Sequence, residues 1–228
     1  MSDGPVLLIT GASSGIGEAV ARLAVDSGRR VALAARSVDK LEALAADLGG
    51  PDHAIAIGAD VTDFESQEAM VAKTVEHFGR LDGAFANAGF GAKRGFLEET
   101  PEHWRDMVLT NVLGAAYTIR ATLPALTESG GHLLLTSSVA GRRALPGSLY
   151  SATKFSVTAM GEALRQEVDG KIRVTLIEPG MVDTPFFDTP KPDALRPDDI
   201  ARAVLYALDQ PPHVDVNEIL IRPTSQPL

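Results

Sequence analysis

The chain has 228 residues, of which 45% are hydrophobic, and this is enough for one α/β domain with a buried core spanning residues 1–228. Its formal net charge of −9 argues weakly against nucleic acid as a partner, and the absence of cysteine excludes disulfides, thiol catalysis and cysteine-ligated zinc. No apolar run approaches the roughly 18 residues that cross a bilayer, and the N-terminus has no basic signal region, so we expect a cytoplasmic protein without membrane contact.

Short apolar runs alternate with amphipathic segments along the whole chain. The runs are continuously apolar, which is typical of parallel strands covered on both faces. The predicted strands are Val6–Thr10, Arg30–Ala35, Ala54–Gly58, Gly83–Asn87, His132–Thr136, Arg173–Ile177 and Glu218–Ile221, and the predicted helices cover 15–27, 38–48, 64–78, 101–127, 149–168 and 198–209. This order predicts an α/β fold with a doubly wound parallel sheet. The proline-rich stretch 183–197 is expected to form a short lid beside the sheet.

The first predicted strand runs into a glycine-rich turn with the spacing G-x-x-x-G-x-G. Glycine allows a tight turn and a close approach of the backbone to a pyrophosphate, whose charge is favoured at the N-terminus of the following helix. Three glycines alone are a weak signal, but their place at the first strand-to-helix junction predicts a dinucleotide site. The residues expected to bind the cofactor here are Gly11, Ser13, Ser14, Gly15, Ile16 and Gly17.

The end of the second predicted strand indicates which dinucleotide binds. An acidic residue at this position commonly holds the ribose 2′-hydroxyl of NAD, whereas an arginine suits the 2′-phosphate of NADP. Here Ala35 is followed by Arg36, so no carboxylate repels the phosphate. Arg36 favours NADP, although a solvated arginine beside a helix cap at Ser37 is the alternative.

Tyr150 and Lys154 are four residues apart and are predicted to share one face of a helix. A free tyrosine has a pKa near 10 and is a poor acid or base at neutral pH. A nearby lysine, together with an oxidised nicotinamide, favours the phenolate and lowers that pKa. Tyrosine then exchanges a proton with a carbonyl or alcohol oxygen while hydride moves. The pair alone is common on exposed helix faces, but hydroxyl groups at Thr136, Ser137 and Ser138 follow the fifth strand, at the edge where ligands bind in such folds.

These motifs come in the order of the short-chain dehydrogenases/reductases, and the sequence resembles that family over essentially its whole length. The resemblance implies a Rossmann-type fold with a single domain and a short lid. The matching positions are Gly11, Gly15, Gly17, Asp60, Val61, Asn87, Asn111, Ser138, Tyr150, Lys154, Pro179, Gly180 and Thr184.

The resemblance also implies a role for each matching residue. Tyr150 would be the acid/base, Lys154 would bind the nicotinamide ribose, and Ser138 would bind the substrate oxygen. Asn111 would hold a water that links Lys154 to solvent. The remaining cofactor contacts would be Asp60 and Val61 beside the adenine, Asn87 along the cofactor channel, and Pro179, Gly180, Val182 and Thr184 near the nicotinamide carboxamide.

Two departures from the family pattern concern spacing and composition. Ser138 lies 12 residues before Tyr150, one fewer than in many members, and Ser137 would restore the longer interval. The surrounding S-x-x-G pattern still favours Ser138. Ala86 replaces the first asparagine of the usual Asn-Asn-Ala-Gly, while Asn87 keeps the second.

The predicted function is hydride transfer between NADP(H) and a small carbonyl or alcohol substrate. The C-terminal segment 212–224 resembles bacterial 3-hydroxy acid and serine dehydrogenases, but the short lid and tail favour a more open pocket for larger ketones or aldehydes. Arg142 and Arg143 offer a contact for an anionic substrate, with a solvated loop as the alternative. Phe186 and Phe187 fit either a pocket wall or simple lid packing.

Two other functions and the state of assembly complete the expectations. One alternative is a non-catalytic NADP(H)-binding redox sensor or regulatory protein, and the other is isomerase, epimerase or dehydratase chemistry. Five histidines are scattered without ligand spacing, so no metal site is predicted. Members of the family usually pair through the helices near 101–127 and 149–168, which implies a homodimer or homotetramer.

Overall fold

The computed structural model of the protein describes residues 4–187 and 189–226. Seven parallel strands form one sheet in the order β3-β2-β1-β4-β5-β6-β7. Their bounds are β1 Val6–Thr10, β2 Arg30–Ala35, β3 Ala54–Gly58, β4 Gly83–Ala86, β5 His132–Thr136, β6 Arg173–Pro179 and β7 Glu218–Ile221. The predicted doubly wound Rossmann-type sheet is confirmed. Residues 1–3, 188 and 227–228 of the predicted domain, of which 188 also belongs to the predicted lid, lie outside the described residues.

Seven α-helices connect and cover the strands of the described chain. Their bounds are α1 Gly15–Asp26, α2 Val38–Asp47, α3 Phe64–Phe78, α4 Pro101–Val108, α5 Ala115–Ser129, α6 Leu149–Val168 and α7 Pro197–Leu208. The single helix predicted over 101–127 is wrong, because a π-helical segment at Leu109–Gly114 separates α4 from α5. Such wide turns are frequent at functional sites, and this one contains Asn111. None of the described helices is long and apolar enough to cross a membrane.

Alternate side chains of each strand enter two separate hydrophobic cores, one on each face of the sheet. Leu7 and Ile9 pack with side chains of α1, α2 and α7 on one face. Val6 and Leu8 pack with side chains of α3, α5 and α6 on the other. Both faces of the inner strands are covered, and their side chains are mostly apolar, as the continuous apolar runs of the sequence predicted.

The site is positioned by the reversal of the winding direction at β1. The chain first extends the sheet through β2 and β3, and then crosses β1 to pair β4 with its other edge. In open α/β sheets the ligand crevice lies outside the carboxyl ends of the strands at this reversal. Thr10 ends β1 and Asn87 follows β4, so both residues border that crevice.

Asn87 and Thr10 join the carboxyl ends of three neighbouring strands by side-chain hydrogen bonds. Nδ2 of Asn87 donates to the carbonyl oxygen of Thr10 at 3.1 Å and to that of Gly11 at 3.4 Å. The hydroxyl of Thr10 accepts from the backbone N–H groups of Asn87 at 3.0 Å and of Ala88 at 3.2 Å. Thr136, at the end of β5, donates its hydroxyl to Oδ1 of Asn87 at 3.3 Å.

Replacing Asn87 tests this junction. We expect Asn87→Ala to lower the free energy of unfolding by about 1–3 kcal/mol, because it removes a donor to two backbone carbonyls and an acceptor for Thr136. Chemical denaturation measures the change. Asn217→Ala is the matched control, since Asn217 is exposed and its amide bonds only to Asp215 in the described chain, and it should cost less than about 0.5 kcal/mol. An equal loss in both variants would contradict a structural role for the junction.

Candidate active site

A cavity of about 380 Å³ opens at the carboxyl ends of the strands, within the size range of small-molecule and cofactor sites. Most of the site residues predicted from the sequence line it. They are Gly11, Ser13, Ser14, Gly15, Ile16, Arg36, Asp60, Val61, Asn87, Ser138, Tyr150, Lys154, Pro179, Gly180, Val182 and Thr184. Gly17 and Asn111 do not line the cavity and lie behind its wall.

The glycine turn leaves no room for side chains. Gly11 and Gly15 have φ values of +67° and +58°, a region that favours glycine. A Cβ atom on Gly11 would lie 2.9 Å from Cα of Ala88, and one on Gly17 would lie 2.9 Å from Nδ2 of Asn87. Helix α1 begins within this turn at Gly15, and the side chain of Ser14 makes no capping bond to it. Free N–H groups at a helix N-terminus suit a phosphate.

Arg36 and Asp60 line the cavity beside β2 and β3. Oδ1 of Asp60 accepts hydrogen bonds from the backbone N–H of Thr62 at 2.9 Å and from its hydroxyl at 2.8 Å. The bonds from Thr62 lower the pKa of Asp60, and the charge of Arg36 adds a smaller lowering against the opposing effect of burial. Asp60 is therefore an ionised, oriented carboxylate, and Arg36 is the cation at this end of the cavity.

Tyr150 and Ser138 meet at the middle of the cavity. Tyr150 lies in the first turn of α6, and its phenol is within reach of a hydrogen bond with the side chain of Ser138. The hydroxyl of Ser138 accepts from the backbone N–H of Ala140 at 3.1 Å and donates to the carbonyl of Pro179 at 3.3 Å. Burial raises the pKa of Tyr150 to about 12, and the bond to Ser138 opposes this rise. In the protein alone the phenol is therefore protonated at neutral pH, and the expected lowering by lysine does not prevail.

Lys154 is fixed one helical turn beyond Tyr150. Its ammonium group donates to the carbonyl oxygen of Thr136 at 2.8 Å and lies 5.6 Å from the centre of the Tyr150 ring. Burial lowers the pKa of Lys154 to about 8, so its charge is lost at only mildly alkaline pH. The predicted helical spacing thus brings both groups to one side of the cavity.

Ser137 and Ser138 have different surroundings, which bears on the spacing question raised by the sequence. The hydroxyl of Ser137 donates to the carbonyl of Lys154 at 3.1 Å and lies 2.7 Å from the hydroxyl of Thr158. Both bonds are to α6, which packs behind the site. The side chain of Ser138, in contrast, is within reach of the Tyr150 phenol. The geometry supports Ser138 as the serine that meets a substrate.

Asn111 connects the loop after β4 with the start of α6. Its Nδ2 donates to the carbonyl of Phe90 at 2.8 Å and to the hydroxyl of Thr153 at 3.1 Å, while its Oδ1 accepts from the N–H of Phe90 at 3.0 Å. Thr153 in turn donates to the carbonyl of Tyr150 at 2.8 Å. A Cβ on Gly89 would lie 3.0 Å from Oδ1 of Asn111. The π-helical segment therefore braces the cavity wall from behind.

Arg142 forms ion pairs with carboxylates and does not line the cavity. Its Nε donates at 2.7 Å to Glu178, whose side chain is buried, and its guanidinium also pairs with Glu218. Burial raises the pKa of Glu178, while Arg142 opposes that rise. Arg142 thus lies in an exposed loop, as the solvated-loop alternative predicts, but it is paired with carboxylates and does not line the cavity. These bonds join the segment that follows Ser138 to the end of β6 and the start of β7.

The base of the lid is closed by backbone pairing and by the C-terminal segment. The N–H of Asp183 donates to the carbonyl of Leu195 at 2.8 Å, and the N–H of Leu195 donates to the carbonyl of Met181 at 3.0 Å. Oε1 of Gln226 accepts from the N–H of Met181 at 2.9 Å. The turn at Gly180 leaves no room for a Cβ beside Gln226. The described C-terminal residues thus hold the lid base against the sheet.

The sequence did not single out every residue of the cavity wall. Those missed, or left open as pocket or lid packing, are Ala35, Ser37, Ala59, Ala88, Gly89, Phe90, Thr110, Thr136, Ser137, Pro185, Phe186 and Phe187. Most of them adjoin a motif residue at a strand end, and that adjacency is the signal that would have found them. Phe90 and the lid phenylalanines carry no spacing signal. Within the described chain no group of histidine and carboxylate side chains could hold a metal ion.

Known proteins resemble the chain over nearly its whole length. A family described as short chain dehydrogenase matches residues 5–194. An uncharacterized oxidoreductase of Staphylococcus aureus (strain MRSA252) is 40% identical over 224 residues, which span 96% of each protein. An alcohol dehydrogenase from the archaeon Thermococcus sibiricus, complexed with 5-hydroxy-NADP, has a TM-score of 0.91 at 36% identity and 98% coverage of both chains. A 3-ketoacyl-(acyl-carrier-protein) reductase from Brucella melitensis, complexed with NADH, has a TM-score of 0.89 at 30% identity, covering 97% of this chain and 98% of that one.

Proposed function

The chain belongs to the short-chain dehydrogenase family, and on this premise we propose that it transfers hydride between NADP(H) and a carbonyl or alcohol substrate. The observation that carries the proposal is the convergence of Ser138, Tyr150 and Lys154 on one wall of the cavity, which the glycine turn also lines. Tyr150 is the general acid/base. A redox sensor that only binds the cofactor has no use for this arrangement, and no specific observation favours it.

The residues of the cavity fit a nicotinamide dinucleotide. The glycine turn has no room for a Cβ at Gly11 or Gly17, so its backbone is left bare for a close approach, and its helix N-terminus suits the pyrophosphate. Of the two similar structures described above, the alcohol dehydrogenase contains an NADP derivative and the 3-ketoacyl reductase contains NADH. The choice of NADP for this chain therefore rests on Arg36. When bound, the cofactor supplies or accepts the hydride. The residues proposed to hold it are Gly11, Ser13, Ser14, Gly15, Ile16, Gly17, Arg36, Asp60, Val61, Asn87, Tyr150, Lys154, Pro179, Gly180, Val182 and Thr184.

The proposed path of the proton follows from the position and the pKa of Tyr150. In reduction, Oη of Tyr150 donates its proton to the substrate oxygen, and Ser138 donates a hydrogen bond to the same oxygen. In oxidation, the phenolate accepts the proton of the alcohol. Lys154 holds positive charge near the phenol, which stabilises the phenolate during the step. The raised pKa of Tyr150 keeps the phenol protonated before reduction begins.

Asn111 is proposed as a positioning residue. Its bonds to Phe90 and Thr153 fix the two segments on either side of Lys154. The family role of holding a water beside Lys154 is compatible with its place, since a Cβ on Gly89 would lie within 3.7 Å of both Oδ1 of Asn111 and Nζ of Lys154. Such a water would return protons to the site from solvent.

The helices beside the cavity carry apolar side chains that support the proposed self-association. Val108, Leu113 and Phe155 are 36%, 39% and 42% exposed on α4, the π-helical segment and α6. These elements are the ones through which pairing was expected. A second copy of the chain covering this face would remove apolar surface from water.

Truncating the serine and the tyrosine tests the catalytic assignment. The oxidation of NADPH is followed by absorbance with a panel of ketones and aldehydes. We expect Tyr150→Phe and Ser138→Ala to lower kcat by about 100-fold or more, because each removes a group that stabilises the charge developing on the substrate oxygen. Ser137→Ala is the matched control and should mainly lower stability, by about 1 kcal/mol. Equal losses of kcat in the two serine variants would contradict the choice of Ser138.

The role of Arg36 is tested by cofactor preference. Arg36→Ala should raise the KM for NADPH about tenfold or more and leave the KM for NADH unchanged, because it removes a charge-assisted bond to the 2′-phosphate. Steady-state kinetics with each cofactor measure the ratio. Arg105→Ala, at an exposed arginine outside the cavity, makes the same change of charge as a control. If wild type prefers NADH, the assignment of Arg36 is wrong.

The pH dependence of reduction follows from Lys154. Burial lowers its pKa to about 8, so the ammonium is charged below that pH and neutral above it. Tyr150, with its pKa raised to about 12, keeps its proton throughout this range. We expect kcat/KM for NADPH, which reports the free enzyme, to be constant at neutral pH and to fall as the pH rises through about 8. A profile that stays flat up to about pH 10 would contradict the need for a charged Lys154.

A further inference from the structure

The lid places an aromatic ring directly against the tyrosine. Phe186 packs edge to face with Tyr150, with 5.6 Å between the ring centres and an interplanar angle of 65°. The ring of Phe187 lies 5.2 Å beyond that of Phe186. Phe186 is 42% exposed and lines the cavity. The protein therefore presents open apolar surface immediately beside the proposed proton donor, and a ligand with an apolar group would remove that surface from water.

Gly91 provides the space that this ring occupies. A Cβ on Gly91 would lie 2.6 Å from Cζ of Phe186 and 2.9 Å from its Cε1. The φ of Gly91 is not positive, so an alanine there would not strain the backbone. Glycine is needed here because the tip of Phe186 rests on it. A larger residue would move the ring away from Tyr150.

The wall that carries Gly91 is held from two sides. Asn111 bonds to both the N–H and the carbonyl of Phe90. Nε2 of His103 lies 2.8 Å from the carbonyl oxygen of Gly91, and its ring packs against that of Phe90. On the lid side, the N–H of Phe186 donates to the hydroxyl of Thr184 at 3.3 Å. The ring of Phe186 thus sits between two braced segments.

The charges around the rings favour a neutral ligand. Among the described residues that line the cavity, the cationic side chains are Arg36 and Lys154. Arg36 lies beside β2, and Lys154 donates to the carbonyl of Thr136. Arg142 is paired with Glu178. A carboxylate placed against the rings would lose water without gaining a cation from the wall, which is unfavourable. Of the cations in the neighbouring loops, Lys93, Arg94 and Arg143 are exposed, and Lys191 is half-buried with its ammonium group 5.5 Å from the centre of the Phe187 ring; none of the four lines the cavity.

We infer that Phe186 is a specificity-determining residue and that the substrate is a neutral ketone or aldehyde, or the corresponding alcohol, with an aromatic or bulky apolar substituent. The substituent covers the open face of Phe186 while the reacting oxygen meets Tyr150 and Ser138. A small 3-oxo acid can present its carbonyl oxygen to Tyr150 and Ser138, but it has no large apolar group to cover Phe186 and meets no cation beside that ring. This inference rests on the proposed function, because it takes Tyr150 as the proton donor.

Four probes separate the effect of charge from that of the apolar group. They are ethyl benzoylformate, benzoylformate, ethyl pyruvate and pyruvate, each reduced with NADPH by the intact protein. We expect wild type to favour ethyl benzoylformate in kcat/KM by at least about tenfold over ethyl pyruvate, which lacks the ring, and over benzoylformate, which adds the charge.

Three variants assign the preference to Phe186. Phe186→Ala should lower the ratio of kcat/KM for ethyl benzoylformate to kcat/KM for ethyl pyruvate about tenfold, mainly by raising the KM for ethyl benzoylformate. Gly91→Ala keeps the phenylalanine but displaces it, and should lower the ratio in the same direction. Phe187→Ala, the matched control in the same lid, should change it less, because that ring does not contact Tyr150. Binding of benzamide and benzoate to the protein saturated with NADPH, whose nicotinamide ring is neutral, should show by calorimetry the same preference for the uncharged ligand without turnover.

The outcomes separate this inference from the proposed function. If carbonyls are reduced but the two carboxylates are the better substrates, or if Phe186→Ala and Gly91→Ala both keep the wild-type aryl preference, the inference is overturned and the proposed function stands. If NADPH is oxidised with none of the probes or of the wider carbonyl panel, the proposed function falls and the inference falls with it. An aryl preference lost in Phe186→Ala and Gly91→Ala, but kept in Phe187→Ala, supports it.

Discussion

The close contact between the end of β1 and the end of β4 is the constraint on which the site depends. At this point the sheet reverses its winding, and the amide of Asn87 occupies the gap between two strands that are far apart in sequence. Gly17 must lack a side chain so that α1 can begin against that amide. The hydroxyl of Thr136 continues the same set of bonds to β5. The glycine turn proposed to hold the phosphates and the tyrosine proposed as proton donor come from distant segments and are thereby held on one edge of the sheet.

That edge also explains why the tyrosine is partly removed from water. Its helix packs across the ends of β5 and β6, and Lys154 and Ser138 both bond to backbone carbonyls there, those of Thr136 and Pro179. Removal from water raises the pKa of Tyr150 and lowers that of Lys154, so both groups are driven toward their neutral forms. A bound oxidised nicotinamide, being positively charged, would act in the opposite direction on the phenol. Burial thus raises the pKa of Tyr150 in the protein alone, and the charge of a bound oxidised cofactor would lower it.

The strands and most of the cavity wall were predictable from the sequence because strands buried on both faces are continuously apolar, and because parallel strands bring their carboxyl ends to one edge. Motif residues that follow a strand, such as Asn87 and Ser138, therefore had to converge. The interruption of the helix at Leu109–Gly114 was not predictable, since helical periodicity does not report one extra residue in a turn. The pairing of Arg142 was not predictable for a related reason: its partner Glu178 lies in a strand 36 residues away. Contacts of this kind, including that of Phe186 with Gly91, depend on packing between distant segments and leave no spacing pattern.

The hydrogen bond from Met181 to Gln226 makes the carboxyl end of the chain part of the lid. The amino end has the opposite position, since β1 begins at Val6, at the edge of the sheet away from the cavity. A purification tag fused to the carboxyl end would be attached next to the residues that close the lid base, whereas a tag at the amino end would extend from the far side of the molecule. The two fusions are therefore not equivalent preparations, and the amino-terminal one is the appropriate choice for measurements of substrate preference.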